Sequence, residues 1–541
     1  MKLNLKNKSI LIIEDSSVMR SAIKEMLYSL NAMDIVECSN AIEALILLKK
    51  NQFDIVLCDY NLGPGKNGQH ILEEIRFHKL LRFDAVFIMV TVEHDLSMVL
   101  SAMENKPDEY LTKPFTAQQL LLRLQRNAAR KEFLASVERE IARENFPQAI
   151  QNCDKMLKYN TKNMHLQLLK LRAELAIKVS DFSTAKAIYE KILQQRELLW
   201  AKQGLGKIYF YQEDYQRASG IFQELIEQQP MLMEAYDWLA KTLDKAGDHQ
   251  AAIDILSTAL DLSPHAILRQ KSLASLAGLN GNLKIAEKAY QATIKLGRYS
   301  VHKASSDFSG LANIQYKNHA EMEALKTIDD MRQEFISDPE AQLRAAVVET
   351  EIYDRLDDDN LVRQAYERVK HFSGQLGNKI PRELQLDIIK ASYINGDNDK
   401  ADALLQDLIS GNLDDQQFID EIKAMHRIHG SGSNAEQLIE ITRQQLVEFN
   451  NNGVALFKQG KLNAALEVFS QAIKKLPNNQ TIILNMAKIL LHDIKTCGAN
   501  TEKLRQARVY INKAVQIGAP YKKVDHLQRE YARLATSHTT L

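Results

Sequence analysis

The chain has 541 residues, too many for one hydrophobic core, so several domains or a repetitive array are expected. Its 69 basic and 69 acidic residues cancel to a net charge of +0, which leaves no electrostatic footprint for nucleic acid. The four cysteines (Cys38, Cys58, Cys153 and Cys497) lie far apart without metal-type spacing, and none of the 14 histidines pairs with Cys or Glu at ligand spacing. Reduced thiols and no zinc centre follow. The start, Met1 to Lys8, has no apolar core for secretion, and no run of about 18 apolar residues spans a membrane. A cytoplasmic protein is expected.

In chain order, an apolar run Ser9–Ile13 ends at Glu14 and Asp15, and a segment of helical period covers Val18 to Leu30. A second helical segment runs from Ala41 to Leu48. The apolar runs 53–58, 85–90 and 109–112 follow, and they lead into Asp59, Thr91 and Lys113. Alternating β and α segments predict a doubly wound parallel sheet, whose ligands bind beyond the carboxyl ends of the strands. Glu14, Asp15, Asp59, Thr91 and Lys113 are therefore expected at one sheet edge. Three carboxylates, a hydroxyl and an ammonium there suit a divalent cation and a phosphoryl group. A carboxylate is a usable nucleophile toward phosphorus, giving an acyl phosphate. Mg²⁺ favours an oxygen-only site with one or two carboxylates. Glu14 and Asp15 would hold the ion, Asp59 would share it, and the backbone carbonyl of Asn61 could add a ligand. Lys113 would place its charge on a phosphoryl oxygen while the Thr91 hydroxyl donates to another. Read alone, Asp15 before Ser16-Ser17 is equally a helix N-cap, and Tyr110 an ordinary half-buried strand residue.

This pattern resembles the receiver domain of two-component response regulators, over roughly the first quarter of the chain. The resemblance implies a CheY-like, flavodoxin-like sheet of five strands over residues 1–129. It makes Glu14-Asp15 the acidic pair, Asp59 the phosphoacceptor, Thr91 the phosphate-facing hydroxyl, Lys113-Pro114 the lysine-proline pair and Tyr110 the aromatic switch. It also implies Mg²⁺ as cofactor and a histidine kinase or phosphotransfer protein as donor. The segment after Asp59 departs from the family: Asp59-Tyr60-Asn61-Leu62-Gly63-Pro64-Gly65-Lys66-Asn67-Gly68 is one residue longer and its glycines are moved. Gly-Pro-Gly and Asn-Gly should still turn the loop. Val92 stands where the family favours a small residue and would narrow donor access. Asn61 and Glu93 are similar to the flanking residues of chemotaxis regulators, which implies a short-lived phosphoryl state.

From about Arg130 the strand signals give way to helical periodicity. A spacing of 34 residues separates Ala218, Ala252 and Ala286, Gly247 and Gly281, and Pro230 and Pro264. That period with small and aromatic residues resembles the tetratricopeptide repeat, a helix-turn-helix unit. The resemblance implies that residues 130–541 form an all-α superhelical scaffold, an α-solenoid, of about nine to eleven helical pairs with a right-handed twist and a concave groove. Further copies are marked by Phe146-Pro147-Gln148-Ala149 and Phe182-Ser183-Thr184-Ala185. Others carry Gly396 with Ala401, the run from Gly453 to Pro477, and Ala487 with Ala507 and Ala514. Residues 299–377 read as helical but degenerate, with Ala320, Ala324 and Ala365 as turn alanines and a generic helical bundle as the alternative. Trp200 and Trp238 read as packing residues, and Tyr521 to Leu534 as a polar capping helix. The basic run Arg123, Arg126, Arg130 and Lys131 reads as a solvated helix face. The receiver's last helix, from Thr116, is expected to pass almost directly into the first repeat helix.

The function expected is that of a phosphorelay response regulator: Asp59 accepts a phosphoryl group, and the repeats bind a protein partner in their groove, with a homodimer open through the receiver. The face around residues 95–104, Tyr110 and the helix from Thr116 is the expected output surface. A phosphate-sink or docking receiver joined to a constitutive adaptor is the alternative. An enzyme or DNA-binding output ranks lower, because no phosphate loop, kinase signature, paired catalytic carboxylates or basic recognition helix stands out after Arg130.

Overall fold

The computed structural model describes residues 4–92, 105–159, 164–413, 415–429, 435–498, 501–517, 519 and 521–539. Strands β1 (Ser9–Ile13), β2 (Asp34–Cys38), β3 (Ile55–Asp59), β4 (Val86–Thr91) and β5 (Glu109–Thr112) form one parallel sheet in the order β2-β1-β3-β4-β5. Period-two alternation divides its residues between two cores. Leu11, Ile13, Val56, Cys58, Phe87 and Met89 pack with helices α2 (Ala41–Lys50) and α3 (Gly68–His78). Ile10, Ile12, Ile55, Leu57, Val86, Ile88 and Val90 pack with α1 (Ser17–Ser29) and the helix Ala117–Ala142. A sheet covered on both faces explains why β1, β3 and β4 read as nearly unbroken apolar runs. Strand β2 sits at the edge and keeps a polar, half-exposed sequence, Asp-Ile-Val-Glu-Cys.

Local chemistry sets where these helices start. Ser16, not Asp15, caps α1, accepting from the Met19 amide at 3.4 Å. Asn67 caps α3 in a reciprocal box with His70, so Asn67-Gly68 opens a helix and is not the turn its dipeptide predicts. The turn itself is made by Gly63 and Gly65, at φ +78° and +107°.

The helix Ala117–Ala142 is continuous through 26 residues. Leu120 and Leu124 belong to the sheet's core, while Leu134 and Val137 pack with Ala149 and Cys153 of the next helix, Phe146–Tyr159. Its basic run is a solvated face at Arg123 and Arg126, both exposed, and enters the protein only at Lys131. Arg123 and Arg126 pair with Glu109, and Arg130 and Lys131 pair with Asp108 at 3.1 and 2.9 Å. Lys131 is buried and also donates to the carbonyl of Ala85. Two acidic residues at the start of β5 therefore draw these cations against the sheet, a pairing that helical spacing alone does not reveal.

The chain divides into two compact units, Met1–Ile314 and Gln315–Leu541. In the first, the helix pairs 165–178 with 182–195, 199–211 with 215–228, 233–245 with 249–262, and 267–279 with 283–297 repeat one hairpin. The turn alanines Ala185, Ala218, Ala252 and Ala286 are fully buried. A Cβ on Gly206 would lie 2.9 Å from the Phe222 ring, so the small residue lets the paired helix carry its aromatic. Trp238 stacks on Phe222 and meets Phe210 edge-on, and Trp200 meets Tyr189, all within the packing between helices.

In the second unit the helices Glu321–Glu334, Pro339–Arg355, Asp359–Leu376, Arg382–Ile394 and Asn398–Asn412 continue the pattern. Ala324, Ala365 and Ala401 are fully buried, whereas Ala320 precedes its helix and is half-buried. The described hairpin turns at Gly247, Gly281, Ser180 and Glu213 in the first unit and at His319 and Asp357 in the second each hold one residue in the left-handed region. The degenerate stretch thus keeps the hairpin turn without its glycine. Helix Ala435–Lys458 has 24 residues, and Gly453 near its end faces Phe469 as Gly206 faces Phe222. Val524 and Leu527 of the final helix, Tyr521–Thr539, close the last core. Among the described residues, no helix is long and apolar enough to cross a membrane.

Candidate functional site

Parallel register brings the strand ends to one edge. Ile13 pairs with Cys58, Asp59 with Val90 and Thr91 with Thr112, so Glu14, Asp15, Asp59, Thr91 and Lys113 all lie at or just past the carboxyl ends. Backbone bonds continue the sheet there: the Lys113 amide donates to the Thr91 carbonyl at 2.7 Å, and the Tyr60 amide to that of Val90 at 2.9 Å.

Glu14, Asp59, Thr91 and Lys113 are buried and Asp15 is exposed. The Lys113 ammonium donates to Glu14 Oε2 at 2.7 Å and to Asp59 Oδ2 at 2.9 Å. One cation therefore holds two buried carboxylates that would otherwise repel. Burial pushes the Glu14 carboxyl above its ordinary range; the Lys113 hydrogen bond opposes this and the charge of Asp59 adds to it. Burial alone would lower the Lys113 ammonium, but its bonds to Glu14 and Asp59 raise it instead, so it stays charged. Cys58 takes no part: burial holds its thiol well above the usual value, with the neighbouring Asp59 charge adding to the shift. Its Sγ instead lies 3.3 Å from the Asp59 carbonyl oxygen.

Glu14, Asp15 and Asp59 each offer a carboxylate oxygen, and these lie within 4.8 Å of one another. Ligand oxygens around an octahedral Mg²⁺ at about 2.1 Å are about 3.0 Å apart when adjacent and about 4.2 Å when opposite, so side-chain movement of about an ångström or two would bring the three onto one ion. The all-oxygen donor set fits that ion. A Cβ added to Gly63 would lie 4.0 Å from Asp15 Oδ2, so the turn after Asp59 borders the same space. Asn61 is exposed there and accepts the Gly63 amide through its side chain at 3.2 Å. Tyr110 pairs with Met89 and is half-buried against the core shared with α3. Val92 is exposed at 61%, while Glu93 and residues 95–104 lie outside the described residues.

The model of the response regulator receiver domain matches residues 10–125, and a tetratricopeptide-repeat model matches residues 204–267. Chemotaxis protein CheY-3 of Vibrio cholerae is 36% identical over 115 residues, which is 21% of this chain and 87% of that protein. This chain belongs to the response-regulator family. Pseudomonas aeruginosa CheY is 35% identical over 111 residues, 20% of this response regulator and 88% of that protein. A solved response regulator receiver domain from Clostridium thermocellum is 30% identical and covers 24% of this chain and 98% of its own, with a TM-score of 0.22. The helical remainder with its tetratricopeptide repeats is the second module of this response regulator. Sequence reasoning passed over Glu73 of α3 and Ser300, which meet across 227 residues. Neither carries a motif; the unusual signal is a polar residue on the outer side of α3.

Proposed function

We propose that Asp59 is the phosphoryl acceptor of a phosphorelay and that the repeats from about residue 130 form the output, a scaffold that binds another protein. The single observation that carries this reading is Lys113 bonded to both Glu14 and Asp59, with Asp15 in ligand reach of both. An Asp59 oxygen attacks the phosphorus of a phosphohistidine on a histidine kinase or phosphotransfer protein. The new O–P bond forms as the P–N bond breaks, and the electron pair leaves with the imidazole nitrogen, which takes a proton from solvent. Glu14, Asp15, Asp59 and the Asn61 carbonyl would hold Mg²⁺, which would supply neutralisation of the phosphoryl charge. Lys113 turns from Asp59 toward a phosphoryl oxygen, the Thr91 hydroxyl donates to another, and Tyr110 follows the rearrangement as the switch. The repeats supply protein binding in place of a catalytic or DNA-binding output, and the chain works in the cytoplasm.

The test is incubation with acetyl phosphate and Mg²⁺, followed by mass-spectrometric mapping. One phosphoryl group on Asp59, lost in Asp59→Asn and with chelator, is expected. Full labelling that survives either change refutes the assignment. Partner capture and oligomeric mass, measured with and without beryllofluoride, distinguish a switched scaffold or receiver dimer from a phosphate sink, for which both stay constant.

A further inference from the structure

A helix lying on a sheet buries one face. Of the 13 residues of α1, only Ile23 and Leu27 are buried. Helix α3 differs: Ile71, Leu72 and Ile75 face the sheet, yet Gln69, Glu73 and Glu74 are buried too. At about 100° per residue, Glu73 lies on the side opposite the apolar stripe and Gln69 at its flank, where its Oε1 accepts from the Tyr60 hydroxyl at 3.4 Å. What meets Glu73 is the protein's own repeat array. Ser300 Oγ donates to Glu73 Oε2 at 2.6 Å, and Gln69 Nε2 donates to Oε1 at 3.3 Å. His70 meets Tyr299 edge-on at 6.2 Å, and Phe77 meets His302 at 6.3 Å. A third point is the Lys106–Glu234 ion pair at 3.5 Å, exposed and therefore weak. The seat is built rather than fortuitous. Ser300 is buried, its Oγ accepts the His302 amide at 3.1 Å, and Lys271 holds both the His302 carbonyl, at 2.5 Å, and Asp307, at 2.8 Å.

Helix α3 also begins where Asp59 ends. The Gly68 amide donates to the Tyr60 carbonyl at 2.8 Å, and a Cβ on Gly68 would lie only 2.2 Å from the Asp59 carbonyl oxygen. No slack separates the strand end from the helix. At that strand end the Asp59 carboxylate is held by Lys113. Phosphorylation abolishes that ion pair, adds roughly −1.5 to −2 charges, and redraws the turn 60–67 toward the new oxygens. A shift of a few tenths of an ångström at Gly68 passes into α3, and the 2.6 Å bond to Ser300 is sensitive to displacements of that size.

We infer that the outer face of α3 is a docking surface seated on this protein's own repeats at Tyr299–His302, and that phosphorylation of Asp59 loosens the seat. The regulatory half rests on the reading of Asp59 as acceptor. Loosening exposes α3 and the connection around Ser300 together, so the partner is excluded by the receiver itself until the phosphoryl group arrives.

Hydrogen exchange by mass spectrometry on the full chain tests this. Beryllofluoride with Mg²⁺ should speed exchange of peptides covering 68–78 and 298–304 about fivefold or more, while the peptide 249–262 stays unchanged. Ser300→Ala and Glu73→Gln should each produce the same local rise without beryllofluoride, and the double variant little more than either. Because coupling between sites is reciprocal, Ser300→Ala should also tighten beryllofluoride binding by about fivefold, the lower end of typical allosteric factors. Unchanged exchange at 298–304 in protein whose Asp59 does take label from acetyl phosphate overturns the inference and leaves the acceptor reading intact. No label on Asp59 overturns the acceptor reading and the regulatory half, while local rises in the two variants would still support the docking surface.

Discussion

Replacing Lys113 by Met removes the ammonium that, among the described residues, bonds both Glu14 and Asp59, and it keeps the side chain's length. Both carboxylates are buried, at 1% and 7% exposure, so they cannot recover hydration without local opening. Breaking a buried pair by removing one partner costs about 3–5 kcal/mol, because a charge is left uncompensated. Here two are left, so Lys113→Met should lower the receiver's local stability by about 3 kcal/mol or more. Native-state hydrogen exchange on peptides covering 10–14 and 55–60 reads that loss as acceleration of at least about a hundredfold at pH 7.5. The deficit must depend on pH. A carboxyl whose folded pKa lies above its unfolded value contributes stability at low pH that is lost as pH rises through the folded value. Glu14 is already raised, and losing Lys113 raises it further, so the variant's deficit should shrink as pH falls and close only below the unfolded carboxylate range, about pH 4. Mg²⁺ restores a counter-charge, and at a hundred times its Kd recovers about 2.7 kcal/mol. Exchange rates equal to wild type at pH 7.5 without Mg²⁺ would refute this account of the site's electrostatics.

Three other outcomes follow from the same structure. Asp15→Asn removes one exposed carboxylate from the acidic group, so titration calorimetry should show Mg²⁺ binding weakened about tenfold or more with unchanged helical content. Ala252→Arg forces a long cation into a fully buried turn between helices and should lower the thermal midpoint of the repeats by several degrees at least; an unchanged midpoint would contradict the packing. Asp387 in the second unit is raised to about 7 by burial and by Glu351, so its charge destabilises the fold as pH rises toward and past 7. Asp387→Asn should therefore melt higher than wild type at pH 8, and the gap should narrow as pH falls below 7 and close only near the unfolded value, about pH 4.

Much of the site was legible because doubly wound topology converts strand ends into neighbours. Glu14, Asp15, Asp59, Thr91 and Lys113 needed only the apolar runs before them to be placed together. Strand β2 escaped notice because an edge strand with an exposed Asp34 and a half-buried Glu37 lacks such a run. Within the exposed basic run the burial of Lys131 was not legible, because its partner Asp108 comes from another element and helical spacing carries no information about tertiary charge pairing. The repeats were clearest where Gly247 and Gly281 mark the turn. They faded where His319 and Asp357 take the same left-handed conformation, since a backbone geometry conserved in shape leaves no letter behind in the sequence. The contact between Glu73 and Ser300 was invisible for the same kind of reason: it is written in neither segment alone.

The unbroken helix Ala117–Ala142 makes the joint between the two modules a matter of angular phase. Its 26 residues span about 39 Å, and each added residue turns everything beyond it by about 100° and advances it by about 1.5 Å. A single insertion near Asn127 would swing Ser300 away from Glu73, whereas seven added residues would nearly restore the angle but displace the array by about 10 Å. Receivers carried on flexible tethers tolerate linkers of many lengths. This one is keyed to its repeats like a cam on a shaft, and new receivers could be grafted here only at a fixed rotation.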